Sequence, residues 1–262
     1  MKTKDMYTLD DIKSWLFIDI ETVSEAVTLD ALRSVNGAKA SLWSKRCEYL
    51  RRRYVECEKL DDAELYQLKA GLHAEFAKIV CVCVGIYQGD GKAQVVGFAD
   101  DDEKKVMSQS LSTISRFRDN LLNSRRTASP RLAGHNIKRF DVPVMCKRAL
   151  ANKMELPELL QVHNKKPWEM PFLDTAEIWS FGTWQESFTS LDLLANVLGL
   201  ESSKTDMHGD QVQGIYWNAH PDRAAALAEI KKYCQNDVAV TMNVVLEWSG
   251  LPVVALDSIQ RA

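Results

Sequence analysis

Trp15-Leu-Phe-Ile-Asp-Ile-Glu-Thr-Val23 is an apolar run of strand-forming residues interrupted by two acids two positions apart. Side chains alternate across a strand, so Asp19 and Glu21 share one face while Ile18 and Ile20 occupy the other. Two carboxylates side by side on a buried strand repel each other and resist desolvation, which makes an uncompensated pair costly. Hard divalent cations such as Mg²⁺ and Mn²⁺ take oxygen ligands and remove that objection. The Asp-x-Glu pattern by itself is common. It recurs at Asp62-Ala-Glu64 and Asp101-Asp-Glu103, both in polar, helix-like surroundings. Only the first copy lies in a strand core, so further motifs are needed before the pair carries a function.

The chain of 262 residues is long enough to bury a sizeable core in one large or two small domains. A net charge of -3 gives no global attraction to nucleic acid, so any such binding must use metals or a local basic patch. No run approaches the roughly twenty apolar residues of a membrane span. The opening MKTKDMYTLDD lacks the apolar core of a signal peptide. The 6 cysteines follow no disulfide or zinc-finger spacing and read as reduced thiols. The expectation is a cytoplasmic, enzyme-sized protein with no membrane association.

Outward from the first strand, residues 24–77 read as a helical insert. Trp43, Cys47, Leu50, Tyr54 and Cys57 recur at helical spacing and predict one amphipathic helix. Asp61 and Asp62 open a shorter one. Arg51, Arg52 and Arg53 lie on the first helix, where they either contact phosphates or form a solvated face balanced by Glu48, Glu56 and Glu58. Ile79 to Tyr87 is a continuous apolar run, expected of a strand covered on both faces. It turns at Gln88-Gly-Asp-Gly-Lys92 into a partner strand over 93–99. A helix follows with Met107, Leu111, Ile114, Phe117 and Leu121 on one side. Short strands are predicted at Arg131–Gly134 and Phe172–Leu173. Asp141 is expected to cap a helix with Pro143 in its first turn, and Ser190–Gly199 reads as a capped helix. The last long helix is predicted over Asp222–Trp248. This order suggests a mixed sheet flanked by helices in a single domain over 1–262.

Two more motifs join Asp19 and Glu21. Gly134-His-Asn-Ile-Lys-Arg-Phe-Asp141 sits at a strand-to-helix junction. Tyr233-Cys-Gln-Asn-Asp237 lies inside the last helix, where residues four apart share a face. A second Tyr-x-x-x-Asp occurs at Tyr7–Asp11, so the last motif is weak alone. All three, in this order and on these elements, are specific. The set resembles the DEDD superfamily of 3′–5′ exonucleases in its tyrosine-bearing (DEDDy) branch. The sister branch carries histidine where this chain has Lys232. More closely, the chain is similar to stand-alone exonucleases related to the proofreading domain of family B DNA polymerases, through Phe76–Gly85 and Lys204–Gly209. The likeness extends over roughly 15–247 and departs at Ala77, where glycine is expected in what should be a loop.

The resemblance implies an α/β, ribonuclease H-like, five-stranded mixed sheet and hydrolysis of phosphodiesters with two Mg²⁺ or Mn²⁺ ions. Asp19, Glu21, Asp141 and Asp237 would be the ligands. Asp19 would be shared, Glu21 and Asp237 would serve the water-activating ion, and Asp141 the other. Tyr233 would orient the attacking water, since a phenol near pKa 10 is a poor general base. Thr22 through its backbone, Asn136 and Phe140 would position the terminal nucleotides, Phe140 by stacking. Core packing for Phe140 and a turn role for Asn136 are equally compatible with the sequence. His135 reads as a loop hydrogen-bonder, Asp174 and Asp192 as capping residues, and Trp179 and Trp184 as core. Lys204 and Asp206 read as loop residues that could also touch substrate. The implied partner is single-stranded DNA with a free 3′ end. RNA is the alternative polymer, and a non-catalytic nucleic-acid scaffold would be expected to lack a carboxylate.

Overall fold

The computed structural model describes residues 6–124, 128–183, 188–202, 209–219 and 222–262. Among them the strands are β1 (Trp15–Ser24), β2 (Ala77–Gly89), β3 (Lys92–Ala99), β4 (Arg131–Gly134), β5 (Phe172–Asp174) and β6 (Gln260–Arg261). They form one mixed sheet of order β5-β4-β1-β2-β3-β6. The acid-bearing strand is therefore central. β1 pairs antiparallel with β2 and parallel with β4, β2 continues as an antiparallel hairpin with β3, and β4 pairs parallel with β5. This is the predicted α/β, ribonuclease H-like arrangement with the strand count corrected. The sequence pattern gives 5 strands, and Gln260–Arg261 adds a 6th by parallel pairing to β3. Two residues are too short to show any periodicity.

In chain order the helices are α1 (Leu9–Lys13), α2 (Leu29–Val35), α3 (Gly37–Arg53), α4 (Asp62–Lys69), α5 (Glu103–Leu122), α6 (Asp141–Ala151), α7 (Thr175–Ser180), α8 (Leu191–Val197), α9 (Val212–Asn218) and α10 (Ala224–Trp248). The alternation along β1 decides which helices cover which face. Ile18 and Ile20 enter a core with Val82 and Val84 of β2, Met107 and Ile114 of α5, and Met145 of α6. Phe17 and Val23 point the other way, into a core with Ile230, Val238 and Met242 of α10. Each such side chain fully removed from water contributes about 1.5–3 kcal/mol. Asp19 and Glu21 consequently emerge on the α10 face.

α2, α3 and α4 build a third core around Trp43, which meets the rings of Tyr66 and Phe76 edge-on at 5.4 and 4.9 Å. The single helix expected through Cys57 ends at Arg53. Tyr54 is extended (φ -128°, ψ 119°) and exposed, and a short 3₁₀ turn, Val55–Cys57, returns Cys57 to the core. The arginine triplet also divides. Arg51 donates to the Leu60 carbonyl (2.9 Å) and pairs with Asp62 (2.5 Å), closing α3 onto α4. Ala77 opens β2 opposite Ser24 instead of lying in a loop.

On the opposite side of the sheet, Glu103 is buried and bridged to Arg148 by bonds of 2.6 and 2.8 Å. It also accepts the Ile79 N–H of β2 (2.8 Å), so one carboxylate fastens α5 and α6 to the sheet and stays ionised below the ordinary glutamate range. Among the described residues no helix is long and apolar enough to cross a membrane.

Candidate active site

β1 outruns its parallel neighbour. Its pairing with β4 covers Trp15, Leu16 and Phe17 and then stops, because the chain turns away after Gly134. That turn needs glycine: a Cβ at 134 would lie 2.0 Å from the Ile137 side chain and 2.8 Å from the Ile18 carbonyl. The diverging strands leave the Ile20 N–H without a ladder partner. Asp141 Oδ1, at the start of α6, accepts it at 3.1 Å. Asp141 is thus the first residue of its helix and reaches back to the central strand. The capping position expected for it is occupied by Phe140, whose side chain makes no capping bond.

Asp19 and Glu21 lie on the α10 face of this strand end. Oxygens of both carboxylates and the Sγ of Cys234 lie within 4.8 Å of one another. Tyr233 and Asp237, one turn apart on α10, are both buried to 9% exposure, and the Asp237 carboxylate acts on the Tyr233 phenol. A strand, a helix start and the middle of another helix therefore bring together four carboxylates that span more than two hundred positions of sequence.

The electrostatics report the same convergence. Burial, then the charges of Asp237 and Asp141, push Asp19 well above the ordinary carboxylate range. Burial and the charges of Asp19 and Asp237 do the same to Glu21. Burial raises Asp141 to about 7 against the opposing bonds from its own N–H and that of Ile20, with Asp174 and Asp237 adding repulsion. Burial and the charges of Asp237, Glu21 and Asp19 raise the Tyr233 phenol far beyond its ordinary value. Asp19 Oδ2 is buried and has no hydrogen-bond partner among the described residues.

The residues expected to meet substrate lie close in sequence to the carboxylates: Thr22 follows Glu21, and Asn136 and Phe140 precede Asp141. Asn136 adopts a left-handed backbone (φ 62°), and its Oδ1 is buried with no partner among the described residues. Phe140 is partly buried and packs against the α5–α6 core, the packing role its sequence position also allowed. Thr22 follows a break in the β1–β2 register, lies opposite Ile79, and donates its hydroxyl to the Gly71 carbonyl (2.7 Å). A bulge beside a site commonly re-aims side chains in this way.

His135 is a loop hydrogen-bonder, with Nδ1 2.9 Å from Thr175 Oγ1 and Nε2 2.9 Å from the Thr189 carbonyl. Asp174 caps α7 as expected and does more. Its carboxylate also accepts the N–H groups of Asn136 (2.8 Å) and Lys138 (3.0 Å), fixing the turn that presents Asn136 and Asp141. Its place directly after a short strand was the only sequence signal for that second role. Ser190, not Asp192, caps α8, and Asp192 accepts the Ser202 hydroxyl instead. Trp179 stacks parallel to Trp248 at 6.5 Å. Trp184, Lys204 and Asp206 lie outside the described residues.

No curated protein matches the chain. Among solved structures it is similar to the family B DNA polymerase from the hyperthermophilic archaeon Pyrobaculum calidifontis, at 17% identity and a TM-score of 0.49. That alignment covers 89% of this chain and 24% of the polymerase, so the chain spans about a quarter of that protein's length. Residues 70–251 match the family described as predicted 3′-5′ exonuclease related to the exonuclease domain of PolB. The matched segment holds Asn136, Phe140, Asp141, Tyr233 and Asp237, and the sheet sets Asp19 and Glu21 beside them. With well over half of its residues inside that match, the chain belongs to this family of predicted 3′–5′ exonucleases.

Proposed function

We propose that the protein is a two-metal-ion 3′–5′ exonuclease that removes nucleoside 5′-monophosphates from the 3′ end of single-stranded DNA. The observation that carries this reading is the convergence of Asp19, Glu21, Asp141 and Asp237 at the end of the central strand. Asp19, Glu21 and Asp141, each raised by burial and by the charge of Asp237, with Asp19 Oδ2 unpartnered among the described residues, suit hard divalent cations. Asp19, Glu21, Asp141 and Asp237 would hold the ions, with Asp19 at the centre of the set. When bound, Mg²⁺ or Mn²⁺ would stabilise charge on the attacking and leaving oxygens and acidify water near neutral pH.

The remaining roles fall to the chain itself. Tyr233 keeps its proton, because its phenol is raised by burial and three carboxylates, and its hydroxyl orients the attacking water. Asn136 Oδ1 accepts a hydrogen bond from the terminal nucleotide, the Phe140 ring stacks on a base, and the Thr22 backbone approaches the 3′-OH. Residues 1–262 act as one domain in which 24–77 form an insert. All 6 cysteines are free, which suits a reducing compartment such as the cytoplasm.

The test is purified protein with Mg²⁺ or Mn²⁺ and 5′-labelled single-stranded DNA, duplex DNA and RNA side by side. Stepwise shortening of single-stranded DNA with release of nucleoside 5′-monophosphates is expected. Degradation confined to RNA would move the site to the exoribonuclease alternative. Internal cuts or release of nucleoside 3′-monophosphates would overturn the reading.

A further inference from the structure

Beside the carboxylates lies a second cluster that the hydrolytic chemistry does not use. In the β1–β2 register Cys81 is opposite Glu21 and Cys83 is opposite Asp19. Directly opposed residues of an antiparallel pair share a face, so both thiols project toward α10 beside the acids. There they meet Cys234, the residue after Tyr233. The three Sγ atoms lie within 4.8 Å of one another, and Cys81 and Cys83 are 3.7 Å apart. All three are fully buried and none is in a disulfide. α10 comes this close because β3 carries glycine opposite Cys83. A Cβ on Gly97 would lie 2.6 Å from Lys231 Cγ and 2.9 Å from Cys83 Sγ.

Buried cysteine ordinarily behaves as a small apolar residue. Three sulfurs from two rigid elements are a different arrangement. A tetrahedral ion with metal–sulfur bonds near 2.3 Å separates its sulfurs by about 3.8 Å, the spacing that Cys81 and Cys83 already hold. Cys234 Sγ belongs to both groups, since the Asp19 and Glu21 oxygens also lie within 4.8 Å of it. An oxygen donor is at hand in Asp19, whose buried Oδ2 has no partner among the described residues. Asp19 is also partly exposed, which gives an ion a way in from the carboxylate cleft.

We propose that Cys81, Cys83 and Cys234, with Asp19 as fourth donor, form a site for a thiophilic divalent cation such as Zn²⁺ or Cd²⁺, and that its occupation silences the neighbouring carboxylate site. Each cysteine binds as its thiolate, and whatever S–H protons the cluster carries are released to solvent as the metal–thiolate bonds form. No oxidant or reductant is involved. Soft thiolates select such ions, whereas the all-oxygen set next to them selects Mg²⁺ or Mn²⁺. The two sites compete for Asp19, so filling one disables the other. The silencing half rests on the exonuclease reading; the binding half does not.

The experiment titrates the full-length, reduced protein with Cd²⁺ and follows thiolate-to-metal charge-transfer absorption in the ultraviolet, with proton release recorded in weak buffer. One equivalent should bind with the absorption of three thiolates and be removed by a chelator. Cys81→Ser and Cys83→Ser should each weaken binding by at least about tenfold, while Cys146→Ser leaves it intact. No saturable absorption from a protein whose thiols are shown to be reduced would overturn the site. Equal binding by Cys81→Ser, Cys83→Ser and wild type would overturn it too. In parallel, Zn²⁺ should inhibit Mg²⁺-dependent cleavage of single-stranded DNA by wild type and spare Cys81→Ser. Binding without inhibition would overturn the silencing alone. A protein with no nuclease activity would fail the exonuclease reading while the absorption still decides the site.

Discussion

Asp141 Oδ1 accepts the backbone N–H of Ile20 at 3.1 Å, tying the first residue of α6 to a strand 121 positions earlier. This bond exists because β4 ends before β1 does, and it fixes one carboxylate of the cluster from behind. Asparagine can keep the bond while losing the charge; alanine can do neither. Asp141→Asn should therefore be at least as stable as wild type in denaturant melts without metal. Asp141→Ala should lose about 1–3 kcal/mol, the cost of a buried N–H left unpaired. Both should lose cleavage. Equal stability of the two variants would mean that the bond is dispensable.

The raised carboxylates imply a distinctive pH dependence. A group whose folded pKa lies above its unfolded value binds more protons folded, so stability falls as pH rises through that window. For Asp141 the window runs from the ordinary 3.8 to about 7, and Asp19 and Glu21 act in the same direction. Metal-free protein should grow more stable on acidification from pH 8 to pH 5, roughly the span of those shifts. Added Mg²⁺ should flatten the curve, and Asp19→Asn should reduce its slope. Glu103, depressed by Arg148, works the other way, and its contribution is lost only below the ordinary value of 4.5. Thermal melts across pH with and without metal check this, and a flat metal-free curve would count against mutual repulsion.

How much of this was legible in the sequence depended on the range of the interaction. Asp19 and Glu21 were readable because strand alternation is local, and Tyr233 and Asp237 because one helical turn is. The link from Asp141 to Ile20 was not, since it depends on where two strands part. Asp174 looked like a simple cap because its bonds to Asn136 and Lys138 cross from one strand end to another. Helical spacing carried through Tyr54 and Cys57, but burying Cys57 takes a 3₁₀ turn that leaves Tyr54 outside. β6 is held by its neighbour and not by any pattern of its own.

The arginine-rich end of α3 is now divided. Arg51 is committed to Asp62 and the Leu60 carbonyl, and Arg52 sits 3.9 Å from Glu48 on the surface. Arg51→Ala should destabilise the α3–α4 core with little effect on DNA affinity. Neutralising Arg52 and Arg53 should leave stability within about 0.5 kcal/mol and reduce the salt dependence of DNA binding only if they track phosphates. Binding measured across salt concentrations separates the two, and an unchanged slope makes the pair plain surface.

Tyr233 separates orientation from proton abstraction. Its phenol is raised, so it stays protonated throughout the working range. Tyr233→Phe should keep metal and DNA affinity and lower turnover about 10²-fold. Asp237→Ala should cost more. The wild-type pH–rate profile should show no rise attributable to a group near pKa 10. Single-turnover cleavage by both variants across pH tests this; a Tyr233→Phe protein equal to wild type would make the tyrosine merely structural.

The central claim is that the four converging carboxylates would hold the ions that DNA cleavage requires, with Asp19 indispensable to the set. Its most direct measurement is single-turnover cleavage of 5′-labelled single-stranded DNA in Mg²⁺ by wild type and Asp19→Ala, with circular dichroism to confirm that both are folded. Wild type should shorten the strand one nucleotide at a time from its 3′ end, and folded Asp19→Ala should leave it intact in Mg²⁺ and in Mn²⁺ alike. Near-normal cleavage by Asp19→Ala would contradict the account and place the chemistry elsewhere on the molecule.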